Sequence, residues 1–140
     1  MEVREVSSEE EVRKTYPVMR QLRSHLAEDE YVSAVERMRG EGYRLAAAFD
    51  DGTILGVAGF RVQEFLYCGK ILYVDDLVTA KEARSTGVGA AMMRWLEDEA
   101  KRNGCEQLHL DSGVQRKEAH RFYFREGMGI FSFHFVKELR

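Results

Sequence analysis

Arg84-Ser85-Thr86-Gly87-Val88-Gly89 lies between a strand-like run, Ile71–Thr79, and a long helical run, Gly87–Arg102. Two glycines two positions apart let the backbone turn tightly and approach a ligand with no Cβ in the way. The first N–H groups of the following helix have no internal partner, and the helix dipole is positive there. A pyrophosphate satisfies both conditions, and Arg84 can add a charge-assisted bond. The same residues also suit a loop that only turns the chain into a helix. No Gly-Lys-Ser/Thr ends the loop and no G-x-G-x-x-G is present, so neither ATP nor NAD is favoured.

Outward from the loop, the helix carries Val88, Ala91, Met92, Trp95 and Leu96 at i, i+3, i+4, i+7 and i+8, one apolar face. Asn103-Gly104 closes it, and Leu108 and Leu110 mark a strand. A short helix over Glu118–Glu126 and a final long strand over Gly129–Leu139 follow. Upstream of Ile71, Leu45–Phe49 and Ile54–Val62 form a hairpin around the turn signal Asp51-Gly52. Val3 and Val6 suggest a first strand, and Ser8-Glu9-Glu10-Glu11 has the form of a capping box. Val12, Tyr16, Met19, Leu22 and Leu26 follow helical spacing, and Pro17 is expected to kink or divide that helix. Tyr31, Val35 and Met38 mark a second short helix that ends at Gly40 and Gly42. The order β-α-α-β-β-β-α-β-α-β predicts an α/β (α+β) domain over residues 1–140. Its mixed sheet is antiparallel in the N-terminal strands and parallel in a central pair, flanked by about four helices.

The chain has 140 residues, 44% hydrophobic and 32% charged, ordinary values for one globular domain. Net charge is −3, which argues against nucleic acid as a partner, because phosphate neutralisation needs a basic face. No apolar run approaches the roughly 20 residues that span a bilayer, and the first residues lack a secretory pattern. Two cysteines, Cys68 and Cys105, make no disulfide framework, so reduced thiols and a cytoplasmic location are expected. The four histidines lack metal-ligand spacing, and no metal is expected. The aromatic-rich end, Phe131, Phe133 and Phe135, suits a core or an interface, which leaves a homodimer open.

Arg84-x-x-Gly87-x-Gly89, preceded by Leu77-Val78-Thr79, resembles the Q/R-x-x-G-x-G/A acyl-CoA loop of the GNAT superfamily of N-acetyltransferases. Downstream, the segment from Ala119 to Met128, AHRFYFREGM, is similar to that family's A-x-x-F/L-Y-x-x-x-G-F segment. Met128 stands where Phe is usual, Thr79 where Val is commoner, and Arg116 where many members have Asn. The resemblance implies a GNAT domain that moves an acetyl group from acetyl-CoA, as cosubstrate, onto a primary amine of a small molecule, amino acid or peptide. It also implies direct attack in a ternary complex.

By this resemblance Arg84, Ser85, Thr86, Gly87, Val88, Gly89 and Ala90 hold the pyrophosphate. Leu77, Val78 and Thr79 pair with the pantetheine arm through main-chain groups. Arg116 can help hold the ribose phosphate, or belong to a solvated face with Lys117. Tyr123 matches the tyrosine beside the sulfur. Its reference pKa of ~10 leaves it protonated at neutral pH, able to donate as the thiolate leaves. Asp75 and Asp76 are notable as acids in an otherwise apolar strand, and strand alternation is expected to put them on opposite faces. Asp75 is the preferred candidate base for the amine's proton. Capping the strand end, a salt bridge or binding of a cationic acceptor are the other readings of the pair. His25 lies where this fold often contacts the acceptor, while His109, His120 and His134 suit surface or structural places. A non-catalytic acyl-CoA-binding or sensory module of the same fold is the alternative, and a phosphate-binding protein with another ligand is a third.

Overall fold

The computed structural model describes residues Met1–Arg140, which form two compact units, Met1–Leu110 and Asp111–Arg140. The first unit contains β1 (Glu2–Val6), α1 (Glu9–Met19), α2 (Glu28–Arg39), β2 (Arg44–Asp50), β3 (Thr53–Phe65), β4 (Gly69–Thr79), α3 (Val88–Arg102) and β5 (Gln107–Leu110). The strands make one sheet in the order β1-β2-β3-β4-β5. Every neighbouring pair is antiparallel except β4–β5, which is parallel. The mixed sheet expected from the element order is therefore present, with its parallel pair at one side.

Local chemistry explains several boundaries. Asp51 and Gly52 both have positive φ (53° and 82°) between the paired Asp50 and Thr53. Both signs match the primed turns whose twist suits a two-residue hairpin. Ser8 caps α1, its Oγ accepting from the Glu11 N–H at 3.1 Å. The reciprocal half of the expected capping box is replaced, because the Glu11 carboxylate pairs with Arg4 at 2.8 Å. Pro17 neither divides nor displaces α1. It sits in the last turn, and the helix ends two residues later at Met19, short of the expected Leu26.

Four successive residues of β2, Leu45–Ala48, are fully buried, so both sheet faces are covered there. Gly56 and Phe60 of β3 share the face that receives α3. A Cβ on Gly56 would lie 3.0 Å from Val88 Cγ1, and Phe60 meets Trp95 edge-on at 5.6 Å. Met92, Met93 and Leu96 complete this core. Glu99, also buried, accepts from Arg44 and Arg102, each at 2.6 Å. Burial pushes its carboxyl up, but these arginines and Asn103 outweigh burial and hold it below the usual glutamate value.

The second unit holds α4, Lys117–Arg125. It ends in a Schellman motif: the Gly127 N–H reaches the Phe124 carbonyl and the Met128 N–H reaches the Tyr123 carbonyl, both at 3.1 Å. Gly127 takes φ +87°, which explains the glycine of the downstream motif. The final strand expected over Gly129–Leu139 is absent, and these residues carry no regular secondary structure. A strand exists only where a neighbour accepts its backbone groups. Within its own unit the segment has no strand beside it.

Candidate active site

The loop between β4 and α3 is shaped by two left-handed residues. Ser85 has φ +65° and Gly87 φ +90°, flanking Thr86, whose hydroxyl donates to the Ala83 carbonyl. Gly87 is the α3 N-cap and has no side chain to satisfy the first turn, and that turn contains no acidic residue. The first intrahelical bond is Ala91 N–H to the Gly87 carbonyl at 3.0 Å. The N–H groups of Val88, Gly89 and Ala90 precede it, so they have no partner within the helix. Arg84, Ser85, Thr86 and Gly87 are exposed, while Val88 is buried and anchors the turn. Backbone N–H groups at successive turning residues and a positive helix end together favour an anion.

β4 leads into this loop with half of one edge open. β5 pairs only with Ile71–Val74. The last residues of β4, Asp75–Thr79, have β3 on one side and no strand on the other. An unpaired edge presents main-chain donors and acceptors to an extended ligand. Leu77, Val78 and Thr79 lie on this edge, next to Ala80 and the loop.

The two acidic residues do not simply alternate. Gly59 of β3 pairs with Asp76 and Phe60 pairs with Val74, so Asp75 is an extra residue on β4. Such a bulge re-aims side chains. Asp76 accepts from Arg23 Nε at 2.8 Å on Oδ1 and from the Tyr43 hydroxyl at 2.7 Å on Oδ2. Asp75 accepts a two-point contact from Arg61, Nε to Oδ1 at 3.1 Å and Nη2 to Oδ2 at 2.7 Å. Arg61 also lies over the Tyr43 ring at 5.4 Å, and Arg23 donates to the Asp75 carbonyl at 3.0 Å. The carboxylates, expected on opposite faces, are joined in one network. Burial pushes Asp75 above the usual aspartate value, and Arg61 only partly offsets this. Burial and Asp76 hold the Tyr43 phenol far above the ordinary tyrosine range.

Gly59 makes room for this network. A Cβ there would lie 1.8 Å from the Tyr43 hydroxyl and 2.8 Å from Asp76 Oδ2. Arg23, Tyr43 and Arg61 escaped the sequence reading. The available signal was Arg61, a charge set between Phe60 and Val62 in a strand.

Within the second unit, Tyr123 and Arg116 come together. Burial pushes the Tyr123 phenol up, while the Arg116 guanidinium, hydrogen-bonded to it, pulls the other way. His120 Nε2 contacts the Gly113 carbonyl at 2.7 Å, and His134 pairs with Asp111 at 3.3 Å. His109 bonds Gln107 at 2.7 Å within β5. Cys68 and Cys105 are free thiols, and no cluster of His, Cys, Asp and Glu suited to a metal ion occurs. No helix is long and apolar enough to cross a membrane.

The profile of the acetyltransferase (GNAT) family matches residues 6–130. An uncharacterised N-acetyltransferase, YhdJ, of Bacillus subtilis is 34% identical over 137 residues, covering 96% of each chain. An aminoalkylphosphonate N-acetyltransferase of Salmonella typhimurium is 34% identical over 98 residues, 69% of this chain and 62% of that protein. Among solved structures, the aminoglycoside N-acetyltransferase AAC(6')-Iy in complex with CoA superposes with a TM-score of 0.87 at 13% identity, covering 99% of this chain and 94% of that one. A ribosomal-protein-alanine N-acetyltransferase of Brucella melitensis gives 0.85 at 15% identity, covering 99% and 100%. An open β4 edge running into an uncapped helix N-terminus, a profile match over most of the chain and a relative that aligns almost end to end lead to one assignment: the chain belongs to the acetyltransferase (GNAT) family.

Proposed function

We propose that this protein transfers an acetyl group from acetyl-CoA to a primary amine of a small molecule, amino acid or peptide, by direct attack in a ternary complex. The observation that carries this reading is the half-open edge of β4 leading straight to the bare N-terminus of α3. Leu77, Val78 and Thr79 pair with the pantetheine amides, and residues from Arg84 to Ala90 take the pyrophosphate. The relative that acts on aminoalkylphosphonates supports a small primary amine as acceptor.

In this mechanism the neutral amine nitrogen attacks the thioester carbonyl, forming C–N as C–S breaks. The sulfur leaves with a proton from Tyr123, which regains one from solvent. Tyr123's role rests on the motif match and on its setting: burial keeps it protonated, and Arg116 steadies the phenolate that forms. The ammonium proton passes through water to Asp75. Both oxygens of Asp75 already accept from Arg61, as those of Asp76 accept from Arg23 and Tyr43. A carboxylate has further acceptor sites beyond a two-point arginine contact, and burial brings Asp75 nearer a base's working range.

The test is release of free thiol when the protein is mixed with acetyl-CoA and a panel of primary amines. Release that depends on both amine and protein is expected. CoA binding by calorimetry without thiol release from any amine would leave a non-catalytic acyl-CoA module. A thermal shift with ATP or NAD but none with CoA would remove the cofactor assignment.

A further inference from the structure

The turn that follows α1, residues 20–27, is bonded to its own helix and to β4. The Arg23 N–H reaches the Met19 carbonyl at 2.9 Å, and the Leu26 N–H reaches the Arg23 carbonyl at 3.2 Å. The Tyr16 hydroxyl donates to the Leu26 carbonyl at 2.7 Å and ties the far end of the turn to α1. Two side chains then cross to β4. Gln21 Oε1 accepts from the Lys81 N–H at 2.8 Å, just past the end of the strand. Arg23 grips the bulge, Nε donating to Asp76 Oδ1 at 2.8 Å and Nη2 to the Asp75 carbonyl at 3.0 Å. Between these two anchors lie Leu77, Val78 and Thr79, the open half-edge of β4.

The bulge needs such a partner. Asp75 is the extra residue of β4 opposite Gly59 and Phe60, and β5 stops opposite Val74. A bulged residue leaves the regular ladder, and a half-buried carbonyl there takes a donor from elsewhere. One guanidinium meets this carbonyl and the next residue's carboxylate together, in a fixed planar fork that an ammonium lacks. The Asp76 side chain is only 13% exposed and its other oxygen is held by Tyr43, so the clamp has a firm base. A peptide unit is planar, so a bond to the Asp75 carbonyl helps fix the 75–76 peptide and the direction in which Asp75 leaves the strand. We propose that Arg23 is a positioning residue for acyl transfer, holding the 20–27 turn and the β4 bulge in register so that the amine meets the thioester beside Asp75.

The role rests on the acyl-transfer reading, which puts pantetheine along Leu77–Thr79 and the base at Asp75. In that arrangement the turn is anchored at both ends of the strand segment that the cofactor uses, and it walls the place where the acceptor must be held for attack. Arg23 itself bonds only to the bulge and to its own turn, and to no residue of the Arg84–Ala90 loop. Its loss therefore falls on the acceptor and spares the grip on pyrophosphate.

The experiment uses the full chain and separates acceptor from cofactor. In Arg23→Gln, kcat/KM for the amine should fall by ~10²-fold, the scale of a misplaced reacting group, while the calorimetric Kd for CoA and the melting temperature stay near wild type. Amide exchange should quicken over residues 20–27 and at the bulge, with β1 and β2 unchanged. Arg23→Lys keeps the charge without the fork and should recover little of the activity. Unchanged exchange, an equal loss of CoA affinity, or full recovery by lysine would each overturn the proposal. No thiol release from the wild type with any amine would overturn the acyl-transfer reading and this role with it, whereas wild-type amine kinetics in Arg23→Gln would overturn the role of Arg23 alone.

Discussion

The segment from β4 through α3 and the segment from Asp111 to Arg140 each carry one of the two motifs, yet they are held in different ways. α3 buries Met92, Met93 and Leu96 against the sheet. Its start is fixed by Val88, which meets the space left by Gly56. No α4 residue is fully buried, Phe122 and Tyr123 being half-buried, and the aromatic row beyond it is exposed. A motif can therefore be complete in sequence while its scaffold differs in kind. One is packed on the sheet of its own unit, and the other ends in the local hydrogen bonds of its Schellman motif.

The comparison is sharpest inside α3, where two changes should separate binding from folding. Gly89→Glu puts a negative charge at the helix start and should abolish CoA binding measured by calorimetry, with the melting temperature little changed. Leu96→Ala, two turns on, should cost about 2–5 kcal/mol in denaturant unfolding. Unchanged CoA affinity in the first variant would break the assignment of the loop.

In the second unit, Tyr123→Phe keeps the ring and deletes the proton donor. Turnover should fall by ~10²-fold or more, the scale of general acid catalysis, with CoA affinity nearly constant. Wild-type turnover would show that the thiolate leaves without help from this unit.

Gly59→Ala tests the carboxylate network without touching a charge. The methyl group must displace the Tyr43 hydroxyl from Asp76. A loss of about 1–3 kcal/mol, typical of overpacking, is expected by thermal unfolding. Tyr43→Phe in the same background should recover part of it, and no recovery would sever the link between Gly59 and this hydrogen bond.

The smallest effect concerns pH. Burial raises Asp75, so the folded state holds that proton more tightly than the unfolded chain does. Its contribution to stability therefore falls as pH rises from the ordinary value of 3.8 through the folded pKa. kcat/KM should rise over the same window if Asp75 is the base. Asp75→Asn should remove this limb, lowering kcat. A higher KM with kcat intact would make Asp75 a binding group for a cationic acceptor.

Much of the scaffold was legible from local rules. Asp51-Gly52 fixed a hairpin because few residues accept two positive φ values in a row. The apolar stripe of α3 could be read from its spacing, and its buried face follows the same residues. What escaped was set by neighbours. Alternation predicted opposite faces for Asp75 and Asp76, but the bulge opposite Gly59 and Phe60 depends on pairing between strands. Arg61 and Tyr43 come together only once β2 and β3 are aligned. The end of α1 at Met19 was missed because Leu22 and Leu26 keep a helical spacing after the helix has stopped. For residues 129–139 the strand pattern is real, but a pattern does not specify a ladder partner.

Tyr43 gives the buried network an optical handle. Its phenol is held far above the ordinary range by burial and by Asp76, whereas an unfolded tyrosine ionises near pH ~10. Its stabilising contribution is therefore complete below that pH and is lost as alkali is added. In a spectrophotometric titration, exposed tyrosines should form tyrosinate reversibly at the ordinary pH. Tyr43 should ionise late and cooperatively, alongside Tyr31, which burial pushes up to about 12, and together with loss of circular dichroism; the part of the late absorbance that Tyr43→Phe removes reports on the hydrogen bond to Asp76.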